Sequence, residues 1–334
     1  MRVLLVGEES AGVQVLRMLT TSDHDIVAVL AQRDGSADRP ATVRGVTVGA
    51  QADRLGHPVW RPELVTDPAF ADRVRDEQID LVLNIHSLHI MDAAVAASPR
   101  IGAFNLHPGP LPAYAGLNAP SWAVLHGEDS HGVTLHWMDA GLDTGAIAYQ
   151  ARFGVTATDT GLSVAARCVR EGLALVSTLL ETATRSPADI PRIAQDRRRR
   201  SYFGRDVPHG GVVDWHWPAR EIDAFVRASD YHPLPSPWGT PTTLLDGAVV
   251  KVARTALTGA PTDAPPGTVG SAAGSGVHVA CADEWLAVTH VAAAGRRAPA
   301  GALLHPGQRL VGGLAAAMAG GRDLHADRAS VTGA

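Results

Sequence analysis

The sequence predicts an α/β chain: a doubly wound, mostly parallel sheet followed by a small β-barrel-like domain. Three observations predict it. Short β-branched runs alternate with helical patterns through the first half. The longest helical stripe, residues 161–182, closes that alternation. Downstream, short β-rich runs are separated by glycine- and proline-rich turns. A chain of 334 residues holds about two domains at ~150 residues each.

Taken in order, Val3 to Val6 is an apolar run ending at Gly7, which reads as a buried strand. Ser10 to Leu19 carries Val13, Leu16 and Leu19 at helical spacing. Ile26 to Leu30 and the short Pro58-Val59-Trp60 are further strands. Asp67 to Gln78 is helical, with Pro68 suited to a first turn. Ile79 to Ile85 and Ala103 to Leu106 are strands. In residues 161–182, Leu162, Ala165, Ala166, Val169, Leu173, Val176 and Leu180 form one apolar stripe. Beyond a linker at 186–206, the β-rich runs are Val212 to Trp217, Thr242 to Leu245, Ala248 to Ala253, Gly276 to Cys281 and Trp285 to Val288. One helix, Ile222 to Ser229, interrupts them. The expected divisions are 1–185, 186–206, 207–312 and a flexible tail at 313–334.

Composition narrows the function classes. Hydrophobic residues make up 46% and charged residues 19%, enough apolar material for real cores. The net charge of −5 argues against a protein that lives on phosphate contacts. Cys168 and Cys281 stand far apart, which excludes a disulfide scaffold and a multi-cysteine zinc site. No apolar run approaches the ~20 residues of a membrane span, and the N-terminus lacks a signal-peptide pattern. A cytoplasmic protein is expected.

A glycine-bearing turn after the first strand invites a dinucleotide reading. The turn is Gly7-Glu8-Glu9-Ser10-Ala11-Gly12, with Glu9 where the fingerprint needs its middle glycine. Gln32 and Arg33 stand where an NAD site needs an acid. The dinucleotide reading fails on both halves.

Residues 103–150 carry the chemistry. Asn105 and His107 lie two apart on a strand and share a face at its carboxyl end. An amide beside an imidazole there can donate to a developing oxyanion. A second strand, around Gly132 to Trp137, leads into a glycine-containing loop with Asp139 and Asp143. A carboxylate beside a histidine raises its pKa and orients it, or acts as a base. These acids are also ordinary loop formers beside glycine. Without a nucleophilic Ser or Cys in the motifs, direct attack by an acceptor is favoured over a covalent enzyme intermediate.

The ordered motifs Asn105-Leu106-His107, Leu111-Pro112, Gly132-Val133-Thr134 and Met138-Asp139-Ala140-Gly141-Leu142-Asp143-Thr144-Gly145 resemble the folate-dependent formyltransferases. The resemblance covers about residues 1–185. It continues more weakly to about 310, through Asp214-Trp215 and Val226-Arg227-Ala228. It implies a formyltransferase-type, Rossmann-like domain, with Asn105, His107 and Asp143 as the catalytic triad and 10-formyltetrahydrofolate as formyl donor. It places the donor against His89, Ile90 and Met91, against Leu111 and Pro112, and against Asp139, Ala140, Gly141 and Leu142. In the implied mechanism a neutral amine attacks the formyl carbon. His107 and Asn105 stabilise the oxyanion. Asp143 tunes His107 and helps remove the amine proton.

Tyr114-Ala115-Gly116 replaces the Arg-Gly found after the Leu-Pro turn in many relatives, and resembles amino-acid-type enzymes. The acceptor expected is a small amine, an amino acid or amino sugar. The alternatives are methionyl-tRNA, hydrolysis of the donor to formate, and folate binding without catalysis. Nucleic acid and membrane partners are not expected, and homodimerisation is left open. The His86/His89 pair lacks the helical i, i+4 alignment of a metal site, and none is expected. Arg197 to Arg200 reads as a solvated linker. Trp215, Trp217 and Trp238 read as core of the β domain.

Overall fold

A computed structural model describes residues 1–32, 47–293 and 296–312. Arg33 and the tail at 313–334 lie outside the described residues. The chain divides into two compact units: residues 1–123, 128–156 and 163–204, and residues 124–127, 157–162 and 205 onward.

In the first unit the elements run β1 (Arg2–Gly7), α1 (Glu9–Thr20), β2 (Asp25–Leu30), α2 (Val48–Leu55), β3 (Val59–Trp60), α3 (Phe70–Asp76), β4 (Leu81–Ile85), α4 (Ala93–Ala96), β5 (Gly102–His107), β6 (Ala115–Gly116), α5 (Ala119–Leu125), β7 (Ser130–Trp137), β8 (Ile147–Gly154), α6 (Gly161–Arg185) and β9 (Tyr202–Phe203). The main sheet has the order β3-β2-β1-β4-β5-β7-β8. Strands β1 to β5 are parallel, and β7 and β8 run antiparallel to their neighbours. The order reverses between β1 and β4, the place where such sheets open a ligand crevice.

Alternation along the strands fixes what each face carries. On β1, Val3 and Leu5 pack with Leu16 and Leu19 of α1 and Val176 and Leu179 of α6. Leu4 and Val6 point the other way, to Phe70 and Val74 of α3 and Val95 of α4. Helix α3 begins at Phe70, later than periodicity suggests, because residues 67–69 form a turn whose Asp67 side chain accepts from Ala69 N. Gly7 and Gly12 serve close packing of β1 on α1: a Cβ on Gly12 would lie 3.2 Å from the Gly7 carbonyl carbon. These glycines hold strand to helix without forming a phosphate cradle.

The second unit holds α7 (Ala219–Ala228), β10 (Thr242–Leu245), β11 (Ala248–Pro261), β12 (Val269–Ala273), β13 (Gly276–Ala280), β14 (Glu284–Ala293), β15 (Arg296–Pro299) and β16 (Leu310–Val311). The strands form an antiparallel sheet ordered β12-β13-β14-β11-β10-β16, with β15 on β14. Its two edges meet: Val269 N donates to Gln308 O at 2.9 Å and Leu310 N to Gly267 O at 2.8 Å. The sheet therefore curls into a barrel around Trp215, Phe225, Val252, Leu286 and Val288. The run Val212 to Trp217, expected as a strand, makes only an isolated bridge from Val212 to Thr242. Asp214 breaks it by accepting from His216 N. Trp215 and Trp238 are buried in this unit.

Candidate active site

The site is built on the sheet face opposite α6. On β5, Phe104 and Leu106 join the core on the α6 side, so Asn105 and His107 point to the other face. Asn105 stands opposite Asn84 of β4 and opposite His136 of β7. A polar row thus crosses three strands. Asn84 Nδ2 donates to Asn105 Oδ1 at 2.9 Å, and Asn105 Nδ2 meets His136 Nε2 at 3.0 Å. His136 Nδ1 lies 2.8 Å from the Trp137 carbonyl. A carbonyl only accepts, so Nδ1 carries the proton and Nε2 accepts from the amide.

Asp143 enters from the β7–β8 loop. Glycines and Asp139 fold that loop. Asp139 accepts from Gly141 N at 3.0 Å and from Thr144 Oγ1 at 2.6 Å. A Cβ on Gly145 would lie 1.8 Å from Trp137 O, so no other residue fits there. Asp143 itself adopts a left-handed backbone, φ 54°. Its Oδ2 accepts from Gly116 N at 2.8 Å and lies 3.5 Å from His107 Nδ1. Its Oδ1 accepts from Asn105 Nδ2 at 3.3 Å and lies 3.5 Å from His136 Nε2.

His107 is buried, with Nε2 at 2.7 Å from the Tyr114 carbonyl. That nitrogen therefore donates, and Nδ1 faces Asp143. The loop closes so tightly that a Cβ on Gly109 would stand 2.7 Å from His107 Nε2. Burial lowers the His107 pKa more than Asp143 raises it, so the resting imidazole is neutral. Burial alone would raise the Asp143 pKa. The positive charge that His107 carries when protonated, the His136 ring and the Gly116 N–H outweigh it and hold the carboxyl well below the usual carboxylate range.

Asn105, His107 and Asp143 therefore come together. The other predicted residues are arranged around them differently. Leu111 is buried and joined to Pro112 by a cis peptide. Its N–H donates to Thr134 Oγ1 and its carbonyl accepts from Gln150. Met91 is packed in the core, Ile90 is 64% exposed, and His89 turns toward Glu8 and Glu63. Asp139, Ala140, Gly141 and Leu142 form an exposed edge. Tyr114 does not face solvent: its ring stacks on Phe203 at 5.3 Å and its hydroxyl donates to Glu128.

Two anchors of the Asp143 loop lie in the stretch read as a linker, residues 186–206. Gln195 Nε2 donates to the carbonyls of Asp143 and Gly145, at 3.0 and 2.7 Å. The Arg200 guanidinium donates to Leu142 O at 3.0 Å and Asp143 O at 3.4 Å. Arg198 is engaged with Asp196. Nothing in the spacing links 195 or 200 to the loop. Asn84 had a faint sequence mark, one amide in the apolar run Leu81-Val82-Leu83-Asn84-Ile85.

Residues 1–179 match the family described as formyl transferase, and residues 207–305 match its C-terminal domain. The chain belongs to the formyl transferase family. The methionyl-tRNA formyltransferase of Thiobacillus denitrificans is 32% identical, over 94% of this chain and 98% of its own length. Among solved structures, an N-formyltransferase from Helicobacter canadensis, in complex with folinic acid and dTDP-3-aminofucose, has a TM-score of 0.61 at 18% identity. It is covered over 98% of its length, and this chain over 86%. HypX from Aquifex aeolicus, in complex with tetrahydrofolic acid, superimposes with a TM-score of 0.61 at 19% identity. That match covers 91% of this chain and 47% of HypX. At these identities the two structures speak for the shared fold. Family membership makes the chain a formyltransferase. Among the described residues no helix is long and apolar enough to cross a membrane.

Proposed function

We propose that this chain is an N-formyltransferase that moves the formyl group of 10-formyltetrahydrofolate to the amine of a small acceptor, an amino acid or amino sugar. The observation that carries the reading is the convergence of Asn105, His107 and Asp143 on one sheet face at the strand ends. The donor follows from the family and from the folates named for the two solved relatives. The residues present fit it. The exposed apolar side chains Leu88 and Ile90 after β4, and Leu142 in the Asp143 loop, offer surface to a flat ring, and the backbone of both loops offers polar groups.

When bound, the folate supplies the formyl carbon; the chain supplies the rest. Asn105 Nδ2 gives up its long 3.3 Å bond to Asp143 and donates that hydrogen to the formyl oxygen as negative charge grows on it. His107 Nδ1, unprotonated at rest, takes the proton that the attacking amine sheds. Asp143, 3.5 Å away, stabilises the imidazolium as it forms. His107 then returns that proton to the departing nitrogen. Asp143 is too acidic to serve as the base itself, so its part is electrostatic.

A small acceptor is favoured by the net charge of −5 and by the use of Arg198 and Arg200 within the protein. One observation favours methionyl-tRNA as a second reading: the tRNA-acting relative matches over nearly the whole of both chains. The test is tetrahydrofolate release with amino acids, amino sugars, nucleotide-linked amino sugars and methionyl-tRNA. Acceptor-dependent release is expected, falling ~10²–10³-fold in Asn105→Ala. Near-normal turnover in Asn105→Ala or Asp143→Ala overturns the assignment.

A further inference from the structure

We infer that Asn84 is a positioning residue for formyl transfer, one that fixes the Asn105 carboxamide with its NH2 turned toward the reacting site. The inference rests on the reading of Asn105 given above and extends it to a neighbouring strand.

Strand β4 is buried along its whole length, and Asn84 is its one polar side chain. Its Nδ2 reaches Asn105 Oδ1 at 2.9 Å. Its own Oδ1 is buried and has no hydrogen-bond partner. Leaving a buried acceptor unpaired is costly, and an apolar residue of similar size would avoid that cost. The amide cannot escape by turning over, because its oxygen would then face the Asn105 oxygen. Asn105 cannot turn over either. Its Nδ2 faces Asp143 Oδ1 at 3.3 Å, and an ionised carboxylate only accepts.

Orientation therefore passes in one chain from the Asp143 charge, through Asn105, to Asn84. In return, Asn84 occupies the Asn105 oxygen. Without it that oxygen would be the unpaired acceptor, and only the NH2 contacts to His136 and Asp143 would hold the carboxamide. Its NH2 would then settle toward those two and away from the position from which it serves an oxyanion. Asn84 is itself buried, and its amide nitrogen is engaged with Asn105. It acts through Asn105.

The test is a double-mutant cycle with Asn84→Leu and Asn105→Ala, read in two ways. The first needs no acceptor. In the full chain labelled with ¹⁵N-asparagine, the Asn105 NH2 signals are those missing from Asn105→Ala. In Asn84→Leu they are expected to shift and to exchange with solvent at least about tenfold faster, while backbone signals elsewhere stay in place. Unmoved Asn105 signals overturn the inference. The second is tetrahydrofolate release from 10-formyltetrahydrofolate with the same acceptor panel. Asn84→Leu is expected to lower kcat about tenfold or more, to leave KM for the donor within about twofold, and to cost nothing further in the Asn105→Ala background. An equal loss in both backgrounds, or a loss confined to KM, overturns it. Normal turnover in Asn105→Ala alone would instead strike the reading of Asn105 beneath it.

Discussion

Replacing Asp143 by Asn removes one charge and leaves the shape. The carboxylate accepts from Gly116 N on one oxygen and from Asn105 Nδ2 on the other. A carboxamide has one oxygen, so one of those donors must face an NH2 group. That mismatch should cost ~1–3 kcal/mol of folding stability. Catalysis should suffer more. Unit charges 3.5 Å apart attract by ~5 kcal/mol at an effective dielectric of ~20. With the imidazolium charge spread over its ring, about 3–4 kcal/mol of transition-state stabilisation is lost, roughly 10²–10³ in turnover. Tetrahydrofolate release measures the turnover and urea unfolding the stability. The stability difference should also depend on pH. The Asp143 pKa is depressed in the fold, so its contribution is complete above about pH 4, the unfolded value, and fades as pH falls toward the folded value. Wild type and Asp143→Asn should therefore differ most near pH 7 and converge below pH 4. Wild-type turnover in the variant, or a pH-independent difference in stability, would refute the reasoning.

Three further outcomes are expected. Arg200→Gln should lower turnover about tenfold with less than ~1 kcal/mol of stability lost, because its half-exposed guanidinium steadies two loop carbonyls by bonds of modest net worth; an unchanged kcat would show that the loop holds itself. Turnover should stay high to a pH below the ordinary imidazole value of about 6.5, since burial keeps His107 neutral there; a fall centred above 6.5 would contradict a neutral resting imidazole. Gly145→Ala should abolish activity and lower Tm by several degrees, because its Cβ would stand 1.8 Å from the Trp137 carbonyl and the loop must move; a fully active variant would contradict this packing.

What the sequence could reveal depended on how local the determinants were. Strand β1, helix α6 and strand β5 were legible because their apolar periodicity is strong and their neighbours cannot override it. The pairing of Asn105 with His107 followed from strand alternation alone. The run Val212 to Trp217 looked like a strand, yet Asp214 turns its backbone, a competition that composition does not reveal. Residue type alone did not separate Asp139 from Asp143; the resemblance gave Asp143 to the triad, and the fold uses Asp139 to hold Gly141 and Thr144. Gln195 and Arg200 lie more than 50 residues from the carbonyls that they hold, or close to it, and such contacts have no local mark. His136 was visible as a histidine but its partner, Asn105, depended on strand register. Tyr114 drew attention as a departure from the family pattern. Its ring proves to be packed inside, and its contribution to the site is a carbonyl that any residue could offer.

The central claim is transfer of a formyl group to nitrogen. Its most direct test uses 10-formyltetrahydrofolate carrying ¹³C in the formyl carbon, incubated with the enzyme and the acceptor panel and followed by carbon NMR. The account predicts that the label appears as a formamide, only when an accepting amine is present, and that Asn105→Ala and Asp143→Asn suppress it. Label collecting as free formate at the same rate with and without amines would contradict the account and make the site hydrolytic.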